Sequence, residues 1–231
     1  MVANVFKANE LEQMAALILS DGSITSQMQN AVSADFISKT NEELKKGISL
    51  LEDHSKAADY ERNLRQFSIL KQQTILKEYK GTKLSLDELT GRLDTLHNVH
   101  LKTEIRTAAA QAEAVELWDK IEKEAKVLPL LEYITSDDSK VRPEHAELDG
   151  IIRPVKDRFW STYLPPLGYN CRCDTLQLND SEDSIVNRDS QTFDRKEALK
   201  GVAPGLANNP ARSGEIFSKA HPYFNNGTSK D

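Results

Sequence analysis

The sequence predicts an α+β protein, with a long helical N-terminal half followed by a small Pro- and Gly-rich domain carrying short strands. Three observations lead there. Apolar residues recur at three- and four-residue spacing as far as about Ala125. Pro129 then stops that pattern, and the run Leu130 to Thr135 starts a strand-like one. Beyond it, Val141 to Cys173 holds both cysteines, the one Pro-Pro pair and one of the two tryptophans. The corresponding division is a helical region over 1–127, a core domain over 128–178, and an extension over 179–231 that docks back on the body.

With 231 residues, 39% of them hydrophobic, the chain can bury a substantial core. Aromatic residues are only 6%, so that core should be mainly Leu, Ile, Val and Ala. A net charge of -6 argues against a surface that grips nucleic acid everywhere. A local basic patch stays open, because Lys71, Lys77, Lys80, Lys83, Arg92 and Lys102 recur along the helical half. The apolar run Met14 to Leu19 follows Glu10 and Glu12 and is too short to span a bilayer, so no membrane partner is expected. Two cysteines one residue apart would close a tight, strained ring, and no oxidising compartment is implied.

The elements follow in order. Leu11, Met14, Ala15 and Ile18 lie at helical spacing, and Asp21-Gly22 should end that helix. Thr40 with Glu43 reads as a capping box opening a second helix, with Leu44, Ile48 and Leu51 on one face. Leu64, Phe67, Leu70 and Tyr79 suggest a third, closed by Gly81. Ser85 with Glu88 repeats the capping pattern and opens the longest segment. Its Leu86, Leu89, Leu93 and Leu96 seam suits either internal packing or docking of a partner. Ala108, Ala112, Val115, Trp118 and Ile121 continue a helical face, with Gly91 and the 98–100 region expected to split or kink it. Glu104 and Arg106 point to different helix faces, so at least one should leave the solvent side. Strands are expected at Leu130–Thr135, Ile151–Val155 and Cys171–Leu176, punctuated by Gly150, Pro154, Pro165, Pro166 and Gly168. The chain is polar after Leu178 until the cluster Ile216 to Phe224, and its last six residues should fray.

Chemistry concentrates in the central stretch. Cys171, Cys173 and His145 are ligands of the kind zinc takes, and Asp149 would complete a tetrahedral set. On a slightly bent strand both sulfurs would face one ion while Arg172 points away. The spacing departs from paired Cys-x-x-Cys sites, and the alternative is that these groups are packed, hydrogen-bonded and hold loops together. Arg142, His145 and Asp149 would then form one network fixing the Gly150 turn. A Cys-His nucleophile lacks a third, activating group. The zinc deaminase pattern fails on cysteine spacing, although Glu144 to Glu147 imitates part of it. No phosphate-cradling Gly-rich loop or Gly-x-Ser-x-Gly occurs. The expectation is a protein that is not an enzyme, with a metal-dependent hydrolase or nuclease using the same cluster as the runner-up.

The ordered residues Asp138 to Gly150, then Phe159-Trp160, then Pro165-Pro166-Leu167-Gly168-Tyr169-Asn170-Cys171-Arg172-Cys173, resemble the Mu F-like phage head morphogenesis family. These are minor head proteins of tailed double-stranded DNA bacteriophages and prophages. The resemblance covers roughly Tyr60 to Phe224, including the Thr103-Glu104 helix and the tail from Asn208. Within it Arg142, Gly150, Pro165, Pro166, Gly168 and Asn170 count as structural motif residues. The resemblance implies a minor capsid protein that associates with the portal protein and other head proteins during prohead assembly. In some relatives it also implies contact with double-stranded DNA. Its location would be the virion head or neck, and the host bacterial cytoplasm during assembly. No reaction is implied, and the stretch after Cys173 is expected to be too short for a further enzymatic domain.

Overall fold

The computed structural model describes residues 4–20, 26–181 and 202–225. The expected helix stop at Asp21-Gly22 and the expected frayed end lie outside the described residues. The chain divides into two compact units, one of residues 1–108 with 222–231, the other of residues 109–221. Helices dominate, joined by one small antiparallel sheet, so the α+β class is the one observed.

The first unit is helical. Helix α1 (Ala8–Leu19) buries Leu11, Met14, Ala15 and Leu17, and packs on α4 (Leu86–Asp94). Helix α2 (Ser26–Gly47) packs on α3 (Ala57–Tyr79). Thr40 does not open a helix: α2 runs straight through it. Phe36, Thr40 and Leu44 follow one another at four-residue spacing, all buried, and that continuous stripe overrides a local capping pattern. Ser85 and Glu88 do form the expected box, the Ser85 N–H donating to Glu88 Oε2 at 2.8 Å and the Glu88 N–H to Ser85 Oγ at 3.3 Å. Gly81, at φ 70°, follows α3 in the left-handed conformation that favours glycine. Leu89 and Leu93 of the leucine seam are completely buried in internal packing, while Leu86 and Leu96 are half-buried.

Gly91 does not break α4, which runs through it from Leu86 to Asp94. The irregularity comes just after, as a π-helical turn over Thr95–Val99 leading into α5 (His100–Glu124). The turn buries the consecutive residues His97 and Asn98 together. Asn98 accepts from the Phe6 N–H at 2.9 Å, and its amide donates to Phe6 O at 3.0 Å and to Asp94 Oδ1 at 2.7 Å. Early in α5, Glu104 is the residue that leaves the solvent side: it meets the buried Lys71 Nζ at 2.5 Å, while Arg106 stays exposed. The short helix α8 (Pro222–Asn225) packs on α3, with the Tyr223 ring 5.3 Å from that of Phe67.

In the second unit the rest of α5 buries Ala112, Val115, Trp118 and Ile121. The sheet has strand order β2-β1-β3, with β1 (Leu130–Ile134) central, β2 (Ile152–Pro154) on one edge and β3 (Asp174–Leu178) on the other. All pairings are antiparallel, Leu131 facing Arg153 on one side and Gln177 on the other. Gln177 also donates to Ile121 O at 3.0 Å and Leu128 O at 2.8 Å, tying β3 to the end of α5. The cysteines were expected on the third strand, yet β3 begins after them, at Asp174. The reason is local: the turn around Asn170, at φ 57°, takes the chain out of the extended conformation that pairing requires.

Phe159, Trp160, Tyr163, Leu164 and Leu167 form the aromatic and apolar centre of this unit. Arg212, in α7 (Pro210–Ser213), binds the same region. Its guanidinium lies 4.5 Å from the Trp118 ring and donates to Val155 O at 2.9 Å and Ser161 Oγ at 2.9 Å.

Candidate functional site

The candidate site stands on three pinned turns. The first is α6 (Pro143–Ala146), a single helical turn begun by Pro143, whose ring supplies the helical φ and gives up an N–H that would be unpaired there. The His145 N–H closes on Arg142 O at 2.9 Å. The second is the following turn, where Gly150 takes φ 69° and its N–H donates to Tyr133 O at 2.8 Å, fastening α6 to β1. The third is the cysteine loop, closed by the Cys171 N–H on Gly168 O at 3.1 Å.

Arg142 braces the first turn against the third. Its Nη2 donates to Tyr169 O at 2.7 Å. The brace passes close over Gly168, where a Cβ would lie 3.1 Å from Arg142 Nη1 and 3.5 Å from His145 Cε1. Pro165 and Pro166, joined by a cis peptide bond, are buried just before it, with Gln111 Nε2 donating to Pro166 O at 3.4 Å. Between the two cysteines the Arg172 side chain turns outward, as expected, into a two-pronged pair with Asp138 at 2.7 and 2.8 Å. That pair holds the Asp138 carboxyl down to about 2.

With Arg172 turned out, the flanking sulfurs turn in. Cys171 Sγ and Cys173 Sγ each lie 3.6 Å from His145 Nδ1. The imidazole is buried, the cysteines half-buried and both unbridged. His145, Cys171 and Cys173 bring their donor atoms within 4.8 Å of one another. Asp149 is not part of this group; its carboxylate faces solvent and accepts from the Thr135 N–H at 2.7 Å. The expected network of Arg142, His145 and Asp149 is likewise three separate attachments, to Tyr169, to the sulfurs and to Thr135. The Cys171 thiol is pulled below the usual thiol range, first by the hydrogen bond from the Cys173 thiol. Cys173 is pushed up, first by that same contact and then by burial. A cavity of about 20 Å³ opens beside the three residues, with Lys140, Arg142 and Arg172 in its lining.

Two participants escaped the sequence reading. Tyr133 is buried on β1 beside Cys173, and burial drives its hydroxyl pKa upward. Its signal was the alternation in Leu131, Tyr133 against Glu132, Ile134. His221 reaches Tyr169 Oη at 2.9 Å and anchors the second unit's last segment. Nothing in its local pattern announced that contact.

The comparisons with known proteins fall on this region. Residues 72–176 match the sequence profile described as Phage Mu protein F like protein. The chain is 28% identical over 143 residues to the "Putative capsid assembly protein F" of Escherichia phage Mu, covering 60% of this chain and 29% of that one. It is 42% identical over 48 residues to an uncharacterized protein of Methanocaldococcus jannaschii, 21% of this chain and 8% of that one. The chain therefore spans less than a third of the length of either relative. No solved structure matches it. The matched segment contains α6, the Gly150 turn, the two prolines and both cysteines, so it is over residues 72–176 that the chain is similar to the Phage Mu protein F like family.

Proposed function

We propose that the chain is a minor head-morphogenesis protein of a tailed bacteriophage or prophage, a structural part rather than an enzyme, that associates with the portal during prohead assembly. The observation that supports this reading is the family match over residues 72–176, joined to the capsid-assembly description of the Mu relative. The way the core domain of 128–178 is built agrees with it. Arg142, Arg172 and the turn at Gly150 spend their hydrogen bonds on holding their own loops. Such a domain is rigid enough to present a fixed surface to a partner. Other head proteins are further partners, double-stranded DNA is a contact through exposed cations of the helical half, and the virion head or neck is the location.

The test is to co-express the full chain with the portal and major capsid proteins of its own phage and purify the assembled proheads. The chain should co-sediment with proheads at few copies each, and tagged portal alone should retain it. A chain absent from proheads and not retained by portal above an untagged control would overturn the proposal. DNA hydrolysis abolished by His145→Ala would replace it with the metal-dependent nuclease.

A further inference from the structure

We infer that His145 Nδ1, Cys171 Sγ and Cys173 Sγ form a three-ligand site for a soft, tetrahedral divalent cation of the zinc class, with water in the fourth position. The first argument is metric. Zinc bonds of about 2.3 Å to sulfur and about 2.0–2.1 Å to imidazole nitrogen, at a tetrahedral angle, place N and S about 3.6 Å apart. Both observed separations are 3.6 Å. A ring nitrogen has one lone pair or one N–H, so hydrogen bonding alone would favour one sulfur and leave the other further off. Two sulfurs at equal distance are what a shared point on the nitrogen's axis produces.

The second argument concerns preorganisation. His145 sits on a turn closed by its own N–H on Arg142 O, the cysteine loop is closed by its own backbone bond, and Arg172 is drawn away by Asp138. The donor atoms are thus gathered before any ion arrives, which reduces the ordering cost of binding. His145 Nε2 is buried with no hydrogen-bond partner, so Nδ1 is the ring's one engaged atom. Two sulfurs and a nitrogen select zinc over magnesium or calcium, which require oxygen donors. Binding releases the thiol protons to solvent, leaving two thiolates against one dication with no net charge.

The fourth position follows from what remains. Asp149 is committed to the Thr135 N–H and lies outside the ligand group. The adjoining cavity of about 20 Å³ has room for about one water. Lys140 and Arg142 in its lining would favour a hydroxide or other small anion there. This inference stands apart from the assembly role, since a metal held by His145, Cys171 and Cys173 is compatible with any function of the domain.

The experiment uses the full chain, purified without chelator, with metal content measured by mass spectrometry. About one zinc per chain is expected. Cobalt(II) replacing it should give the visible bands of a tetrahedral ion together with sulfur-to-cobalt charge transfer. Cys171→Ser, Cys173→Ser and His145→Ala should each lose those charge-transfer bands or bind at least tenfold more weakly. Asp149→Ala should keep them unchanged. Should the cysteine variants fail to fold, alkylation of the unaltered chain decides: zinc should protect both thiols and a chelator should expose them. Less than a tenth of an equivalent of metal after zinc addition, with alkylation equally fast in zinc and in chelator, would overturn the site. So would an intact mass two hydrogens short, which marks a Cys171–Cys173 disulfide. Loss of the cobalt bands in Asp149→Ala would overturn water as the fourth ligand.

Discussion

Gly205 illustrates how a single residue can carry a segment. It adopts φ 91°, and a Cβ there would lie 2.5 Å from His221 Cβ and 2.8 Å from its Cα. One of those neighbours is backbone and cannot swing aside, so Gly205→Ala combines left-handed strain with a collision. The Ser218 N–H to Gly205 O bond at 2.9 Å and the Tyr169 to His221 contact would be disturbed together. We expect about 2–4 kcal/mol of destabilisation in denaturant titration. Gly168→Ala should be milder, about 1–2 kcal/mol, because the atom it meets is the end of the Arg142 side chain. The two variants unfolding at the same denaturant concentration would refute that ranking. Lys71 makes the converse point about charge. In the sequence it belonged to a run of cations facing solvent, but the structure buries it against Glu104, where removing either partner would strand the other's charge.

Among elements, the π-helical turn at Thr95–Val99 has the clearest consequence. It places the His97 ring inside the first unit, 5.2 Å from that of Phe6 and 4.8 Å from that of Phe36, with both ring nitrogens unpartnered. Burial drives its pKa well below the ordinary value, and Lys71 adds to the fall. The unfolded chain therefore takes up this proton at higher pH than the folded one. The folded state keeps its full stability from this residue above about pH 6.5 and loses it as pH falls toward the depressed folded value, by up to about 1.4 kcal/mol per pH unit. Urea unfolding of the first unit between pH 7.5 and 5 should show that slope, and His97→Leu should flatten it. Equal slopes in the two proteins would sink the assignment. This turn also marks where sequence reading stops. The Ser85–Glu88 box was legible because its cause is local, a side chain satisfying a nearby N–H, whereas α5 already ends at Glu124, ahead of Pro129. Thr40 misled because burial of Phe36 and Leu44 decides that region. Arg142 was recognisable as a motif residue, but its bond to Tyr169, 27 positions on, depends on a fold that no spacing encodes.

At the scale of the whole molecule, charge decides what a DNA contact can be. Thirty-six acidic residues against thirty basic ones give a net charge of -6, so no long-range attraction draws the chain to a duplex. Any binding must come from a local group of cations. With Lys71 buried, the exposed candidates are Lys77 in the last turn of α3, Lys80 and Lys83 in the connection that follows, and Arg92 in α4. Three or four phosphate contacts would give a salt slope of about -3, so raising salt from about 50 to about 200 mM should weaken binding roughly 40- to 150-fold. Fluorescence anisotropy on a labelled duplex of arbitrary sequence reads this directly. Lys77→Gln, Lys80→Gln and Lys83→Gln combined should lower affinity at low salt and flatten the slope, and a scrambled duplex should bind equally well. These substitutions lie on exposed side chains, so circular dichroism and melting should stay as in the unaltered chain. Binding indifferent to salt, or restored by one base sequence alone, would mean that base edges are being read, and the phosphate-contact account would have to be abandoned.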